Sequence, residues 1–227
     1  MSHSTRLDAT TGTTGARVVL ALVLGAWFLV AALASGAGWF ATAPNRPPLP
    51  LLVAALGPIV AFGAGYAFSE RFRAYVRAGD PVLLTNLQSW RILGGVFLAL
   101  MTFGLLPAPF AIPAGWGDVA IGVTAPFVAL TLAARGPVRA SRLFVGWTLL
   151  GILDLVVAVG TGAALRLTGA AGAEQMAAMG QLPLSLIPVF AVPLFLILHL
   201  ASIAQVRAAL AREETQEPAR AVLSGVG

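Results

Sequence analysis

The chain has no cysteine and no lysine, only two histidines, and charged side chains at just 10% of its positions. Each shortage excludes something. Without cysteine there is no disulfide, Fe–S cluster or thiolate chemistry, and no sulfur to carry a lipid. With one histidine, His199, inside an apolar segment, a four-histidine haem arrangement is out of reach. No H-E-x-x-H, H-x-x-x-H or G-x-S-x-G spacing occurs, and no phosphate-binding glycine loop. No motif calls for a cofactor or a metal. With so little charge, the chain does not read as a soluble domain.

Apolar surface is what remains. Hydrophobic residues make up 58% of the 227 positions, and apolar runs long enough to cross a bilayer core, about 18 residues or more, recur along the chain. Six spans are expected, roughly over 17–40, 50–68, 90–106, 115–134, 143–165 and 184–205. The fold class is therefore an all-α integral membrane protein, a six-transmembrane-helix bundle. Residues 1–16, rich in Ser, Thr and Gly, read as a disordered cytoplasmic tail. Residues 17–206 form the membrane domain, and 207–227 a cytoplasmic C-terminal tail that extends the sixth helix and frays after Pro218. A cleaved signal peptide competes for the first span, since Arg17 precedes an apolar stretch and "ALA" at 32–34 suits cleavage. The apolar run continues through "SGAGWFATA", however, and its length favours a span.

A net charge of +5 would suggest nucleic acid for a soluble protein. Here the arginines gather at span ends and carry a topology signal instead, so the expected partner is the lipid bilayer. Apart from Arg91, which lies within a span, only Arg46 and Arg166 fall on one side. The N-terminal tail, the 69–91 linker, the 135–142 loop and the C-terminal tail hold the rest. That asymmetry predicts N-in and C-in, with both termini cytoplasmic, and the cytoplasmic membrane of a bacterium as the location. Trp39, Trp90, Trp116 and Trp147 are expected near span ends, where indoles favour the interface.

The linker "SERFRAYVRAGDPVLLTNLQSWR" divides in two. Its first half alternates Phe72, Tyr75 and Val76 with Arg71, Arg73 and Arg77, which suits a short cytoplasmic interfacial helix between spans two and three. Gly79-Asp80-Pro81 is then a stop followed by a helix start, with Asp80 as cap and Pro81 in the first turn. The third helix can therefore begin near 81, placing Asn86, Gln88, Ser89 and Arg91 inside it. The proline-rich segment "LPAPFAIPAG" reads as a stiff outer loop lying against the bundle near Asp118.

Few ionisable groups fall within spans: Asp118, Asp154, His199 and Arg91. A central aspartate opposes insertion by about 2.5–3.5 kcal/mol, so each must face protein or water. Helical spacing puts Gly115, Gly122 and Ala125 on the face of Asp118, and Gly151, Ala158 and Thr161 on that of Asp154. Small residues let helix backbones approach closely, which points both aspartates inward. Gln88 and Thr102 share the face of Arg91, and Ser202 that of His199.

Depth from the expected boundaries puts Asp118 about 5 Å from the outer edge, at 1.5 Å per residue. Asp154 then lies near the midplane, with Arg91 and His199 in the inner half. That spread disfavours a direct Arg91–Asp118 pair, a carboxylate dyad, or a metal site of Asp118, Asp154 and His199. It allows Arg91 to meet His199 or Asp154. Protonatable groups arranged from the outer side inward suit a proton or ion pathway. Pro58, Pro126, Pro188 and Pro193, all inside spans, supply points where the backbone can open.

Three functional readings follow. The first is a small transporter or channel moving protons, ions or a small solute, with Asp154, Asp118, His199 and Arg91 as the pathway and Gln88, Thr161 and Ser202 in support. The second is a non-catalytic membrane subunit or assembly protein whose buried polar network is structural, acting in a homo-oligomer or with a membrane partner. The third is an intramembrane enzyme.

Overall fold

A computed structural model describes residues 4–43 and 46–224, and every regular element among them is helical. Six helices are long and apolar enough to cross a membrane: Gly15–Gly36, Leu49–Phe68, Pro81–Thr102, Ala108–Pro137, Arg139–Thr168 and Ile187–Glu213. The protein is an all-helical integral membrane bundle.

The first helix, α1 (Ser4–Gly36), begins well inside the segment expected to be a disordered tail. Once a helix is nucleated, each added residue gains one backbone bond, and the apolar span supplies that nucleus. Met1 to His3 lie outside the described residues. After α2 (Leu49–Phe68), Ser69 adopts an extended conformation and its Oγ accepts from the Phe72 amide, 3.3 Å away, to cap α3 (Glu70–Arg77). Arg73 reaches back to the carbonyls of Tyr66 and Ala67, at 3.0 and 2.7 Å. A guanidinium there satisfies carbonyls left unpaired at a helix C-terminus and suits its negative dipole end.

The third span, α4 (Pro81–Thr102), starts nine residues before Trp90, as the capping signal allows. The Asp80 carboxylate accepts from the Val82 amide at 2.8 Å, with Pro81 in the first turn. Between Gln88 and Gly95 the helix tightens to 3-10 form. Side chains three apart then nearly eclipse, so Thr85, Gln88 and Arg91 follow one edge, each only 1% exposed.

The segment expected as an outer loop is instead the start of α5 (Ala108–Pro137). Pro107 is its cap and Pro109 falls in the first turn, where a missing N–H has no helical partner to lose. Likewise, the expected 135–142 loop contracts to a single break at Gly136 (φ 75°, ψ 164°), after which α6 (Arg139–Thr168) begins. Only glycine adopts that backbone readily, and Pro137 suits the restart. A π-helical turn over Ile187–Ala191 leads into α7 (Val192–Ser224), where Pro193 cannot donate to the preceding turn. Helical backbone continues past Pro218, beyond the expected fraying point.

Three apolar clusters pack the described residues: the smallest joins Ala31, Ala34, Phe40 and Val189, and two larger ones fill the bundle. One joins Phe97, Leu106, Phe110, Leu165, Met176 and Met179 at the end bearing Arg46 and Arg166. The other joins Ile121, Val128, Leu132, Phe144, Trp147 and Val206 toward the arginine-rich end. Trp147 thus turns inward, its indole donating to Thr124 Oγ1 at 2.8 Å, instead of marking an interface. Trp90, with α4 lengthened, lies far from either end of its span.

Candidate functional site

Between the two larger cores sits a layer of charge. Arg91, on the tight stretch of α4, is 1% exposed. Its Nε donates to Asp118 Oδ1 on α5 at 2.7 Å, and its Nη2 pairs with Asp154 Oδ2 on α6. Nη1 donates to the Gly151 carbonyl at 3.1 Å and lies 3.3 Å from His199 Nε2 on α7. All three guanidinium nitrogens are therefore engaged, across three neighbouring helices.

The direct Arg91–Asp118 pair corrects the depth expected from sequence. Arg91 lies eleven residues from Thr102, Asp118 ten from Ala108, Asp154 fourteen from Thr168 and His199 twelve from Ile187. All four are near one level. The expected separation came from starting α4 and α5 nine and seven residues late, which is roughly 10–13 Å at 1.5 Å per residue. The carboxylates expected to stay apart converge, but on a guanidinium in the position a bridging metal would need. Among the described residues, no group of three or more His, Asp or Glu side chains is arranged to hold a metal ion.

An arginine only donates, so His199 Nε2 accepts and the proton of the neutral ring sits on Nδ1. The ring is fully buried, meets Trp147 edge-on at 5.4 Å between centroids, and its Nδ1 has no partner among the described residues. Gln88, one turn before Arg91, donates to the Phe195 carbonyl at 3.0 Å while its Oε1 has no partner among the described residues. Ser202 is buried but bonds its own helix at Leu198 and His199. Thr161, expected in support, is not brought to the cluster: its hydroxyl bonds the Val157 carbonyl at 2.6 Å.

Glycines make the layer sterically feasible. A Cβ at Gly117 would overlap the Asp154 carboxylate, and one at Gly94 would strike Asp118. At Gly151 it would meet the His199 ring, and at Gly122 the Arg91–Ile92 backbone. Gly115, Gly122 and Gly151 were expected on the aspartate faces for close helix approach. Gly94 and Gly117 were missed: Gly117 shares no helical face with Asp118, and Gly94 falls on the edge of Arg91 that the 3-10 stretch lines up at a spacing of three.

A cavity of about 820 Å³ of empty space, its open part included, reaches Asp118 from the Arg46/Arg166 end and is lined mostly by apolar side chains such as Phe97, Phe110, Met176 and Met179. Asp154 does not line it. Arg166 does, and sequence reasoning read that residue only as a topology charge.

Six apolar helices around one buried charge layer define a polytopic integral membrane protein. Residues 48–207 match the family described as Domain of unknown function (DUF8737), and the chain belongs to that family. The matched region contains the whole Arg91 cluster, while α1 lies outside it. No curated protein and no solved structure matches the chain.

Proposed function

We propose that this protein is a small membrane transporter or channel that moves protons, small ions or a small solute through the Arg91–Asp118–Asp154–His199 layer. The observation that carries this reading is one guanidinium shared by two carboxylates at the end of a cavity. His199 accepts from Arg91 and adds no positive charge, so with both carboxylates ionised the layer holds one negative charge more than it neutralises. An uncompensated charge is expensive in a low-dielectric interior, and an exchangeable proton or monovalent cation supplies what is missing. Asp118, lining the cavity, is the entry group, and Asp154 the second acceptor. Intramembrane ionisable residues facing a bundle interior mark such pathways by default. The arginine asymmetry supports N-in and C-in in a bacterial cytoplasmic membrane, with α3 on the cytoplasmic surface and the cavity facing outward.

Flux of protons or small cations in proteoliposomes, with and without a proton gradient, tests this. Gradient-dependent flux lost in Asp118→Asn and Asp154→Asn is expected; equal flux in wild type and empty vesicles would sink it.

A second reading rests on the same guanidinium, whose bonds tie α4 to α5, α6 and α7. It is a non-catalytic subunit held together by that layer. Enzyme chemistry ranks third, since Asp154 and His199 meet at a side chain of the protein and not at a reacting group.

A further inference from the structure

Arg166 stands apart from the charge layer. It is twelve residues beyond Asp154 on α6, about 18 Å along the axis, and its side chain is folded in so that only 4% is exposed. Nη2 donates to the Thr42 carbonyl and hydroxyl, both at 2.8 Å, and to the Ala43 carbonyl at 3.1 Å. Among the described residues, the buried Nη1 has no hydrogen-bond partner and no carboxylate forms an ion pair with Arg166. The charge of this guanidinium is thus turned inward and, among the described residues, met by neutral oxygens alone.

It lines the cavity that ends at Asp118. The wall between them is one face of α6, carrying Leu155, Ala158, Val159, Gly162 and Ala163 before Arg166. Three of these five are Ala or Gly, and their small size leaves an elongated apolar channel beside the helix. An apolar lining with one placed charged donor is the usual make-up of a small-molecule site.

We propose that this cavity binds an anionic amphiphile, its carboxylate or phosphate head on Arg166 Nη1 and its apolar body along the Leu155–Ala163 face toward Asp118. A planar guanidinium suits such oxyanions, and the cavity wall offers an elongated tail only apolar contact until Asp118. The negative carboxylate at the far end sets the polarity: head at Arg166, tail inward. This site stands whether or not the charge layer moves a proton. The same chemistry can come from a single-chain lipid in the bilayer or from a short apolar acid in water.

The test is binding to the purified full chain in an uncharged detergent, read as a saturable rise in melting temperature. Laurate, dodecanol and benzoate serve as probes. Laurate is expected to give a saturable shift and dodecanol none, because it lacks the charge. Benzoate competing at comparable concentration assigns the ligand to the aqueous phase, and failure to compete assigns it to the bilayer. Arg166→Gln should weaken laurate binding about tenfold to a hundredfold, the range of a charge-assisted hydrogen bond, and Arg166→Lys should restore most of it. Should Arg166→Gln not fold, Ala163→Phe keeps the charge and fills the channel, and must also abolish the shift. Equal shifts with laurate and dodecanol, no shift with either acid, or undiminished binding in Ala163→Phe overturns the site.

Discussion

Arg91 Nε and Asp118 Oδ1 lie 2.7 Å apart although their residues belong to different helices, and the Arg91 side chain is wholly buried. The same guanidinium pairs with Asp154. Both aspartates therefore depend on one cation.

Removing that cation is expected to be severe. Arg91→Leu leaves two carboxylates without a partner, and breaking a buried pair from one side typically costs about 3–5 kcal/mol. Restoring balance by Asp118→Asn and Asp154→Asn in the same chain should recover most of the loss. Detergent melting of the single and triple variants checks this. A single variant as stable as wild type would show that the layer contributes nothing to the fold.

Asp154→Asn separates transport from structure. An amide resembles a protonated acid in size, so a residue that exchanges protons can be replaced with the fold intact and pH-driven flux gone. A residue that serves only as an acceptor for Arg91 Nη2 loses the charge-assisted part of that bond, and because Asp118 still balances the guanidinium its replacement shows as a modest fall in melting temperature with flux unchanged. Melting and flux measured on this one variant distinguish the two, and normal values for both would contradict each account.

Close helix approach at the layer makes a methyl group costly there. At Gly122 an added Cβ would run into the Arg91–Ile92 backbone, which cannot rotate away. Gly122→Ala should lose about 1–3 kcal/mol, as overpacked cores do. Gly146→Ala meets nothing within 4 Å and should be neutral or slightly stabilising, since alanine favours helix. Equal melting temperatures for the two would contradict the packing at Gly122.

Topology can be tested independently of function. A reporter inserted at residue 138 should be cytoplasmic and one at residue 172 on the outer side, as the arginine asymmetry requires. An inverted result at either position reverses the sidedness of the cavity and of the entry path at Asp118.

The apolar runs alone determined that the chain is a bundle of six spanning helices, because bilayer thickness sets a length that composition either meets or does not. They also singled out Asp118, Asp154, Arg91 and His199, since ionisable groups are rare where insertion opposes them. Which of these meet was decided only in three dimensions. Hydropathy left out the polar first turns of α4 and read the prolines heading α5 as a loop. Those errors displaced Arg91 and Asp118 from one another by more than a side chain's reach. A capping aspartate, prolines in first turns and a 3-10 stretch restore them to one level, and none of these changes the average apolarity of a window. Arg166 was hidden for a related reason: at a span end, an arginine that marks topology and one that turns inward over an apolar cavity have the same sequence. Only the packing of α6 beside Thr42 and Ala43 tells them apart.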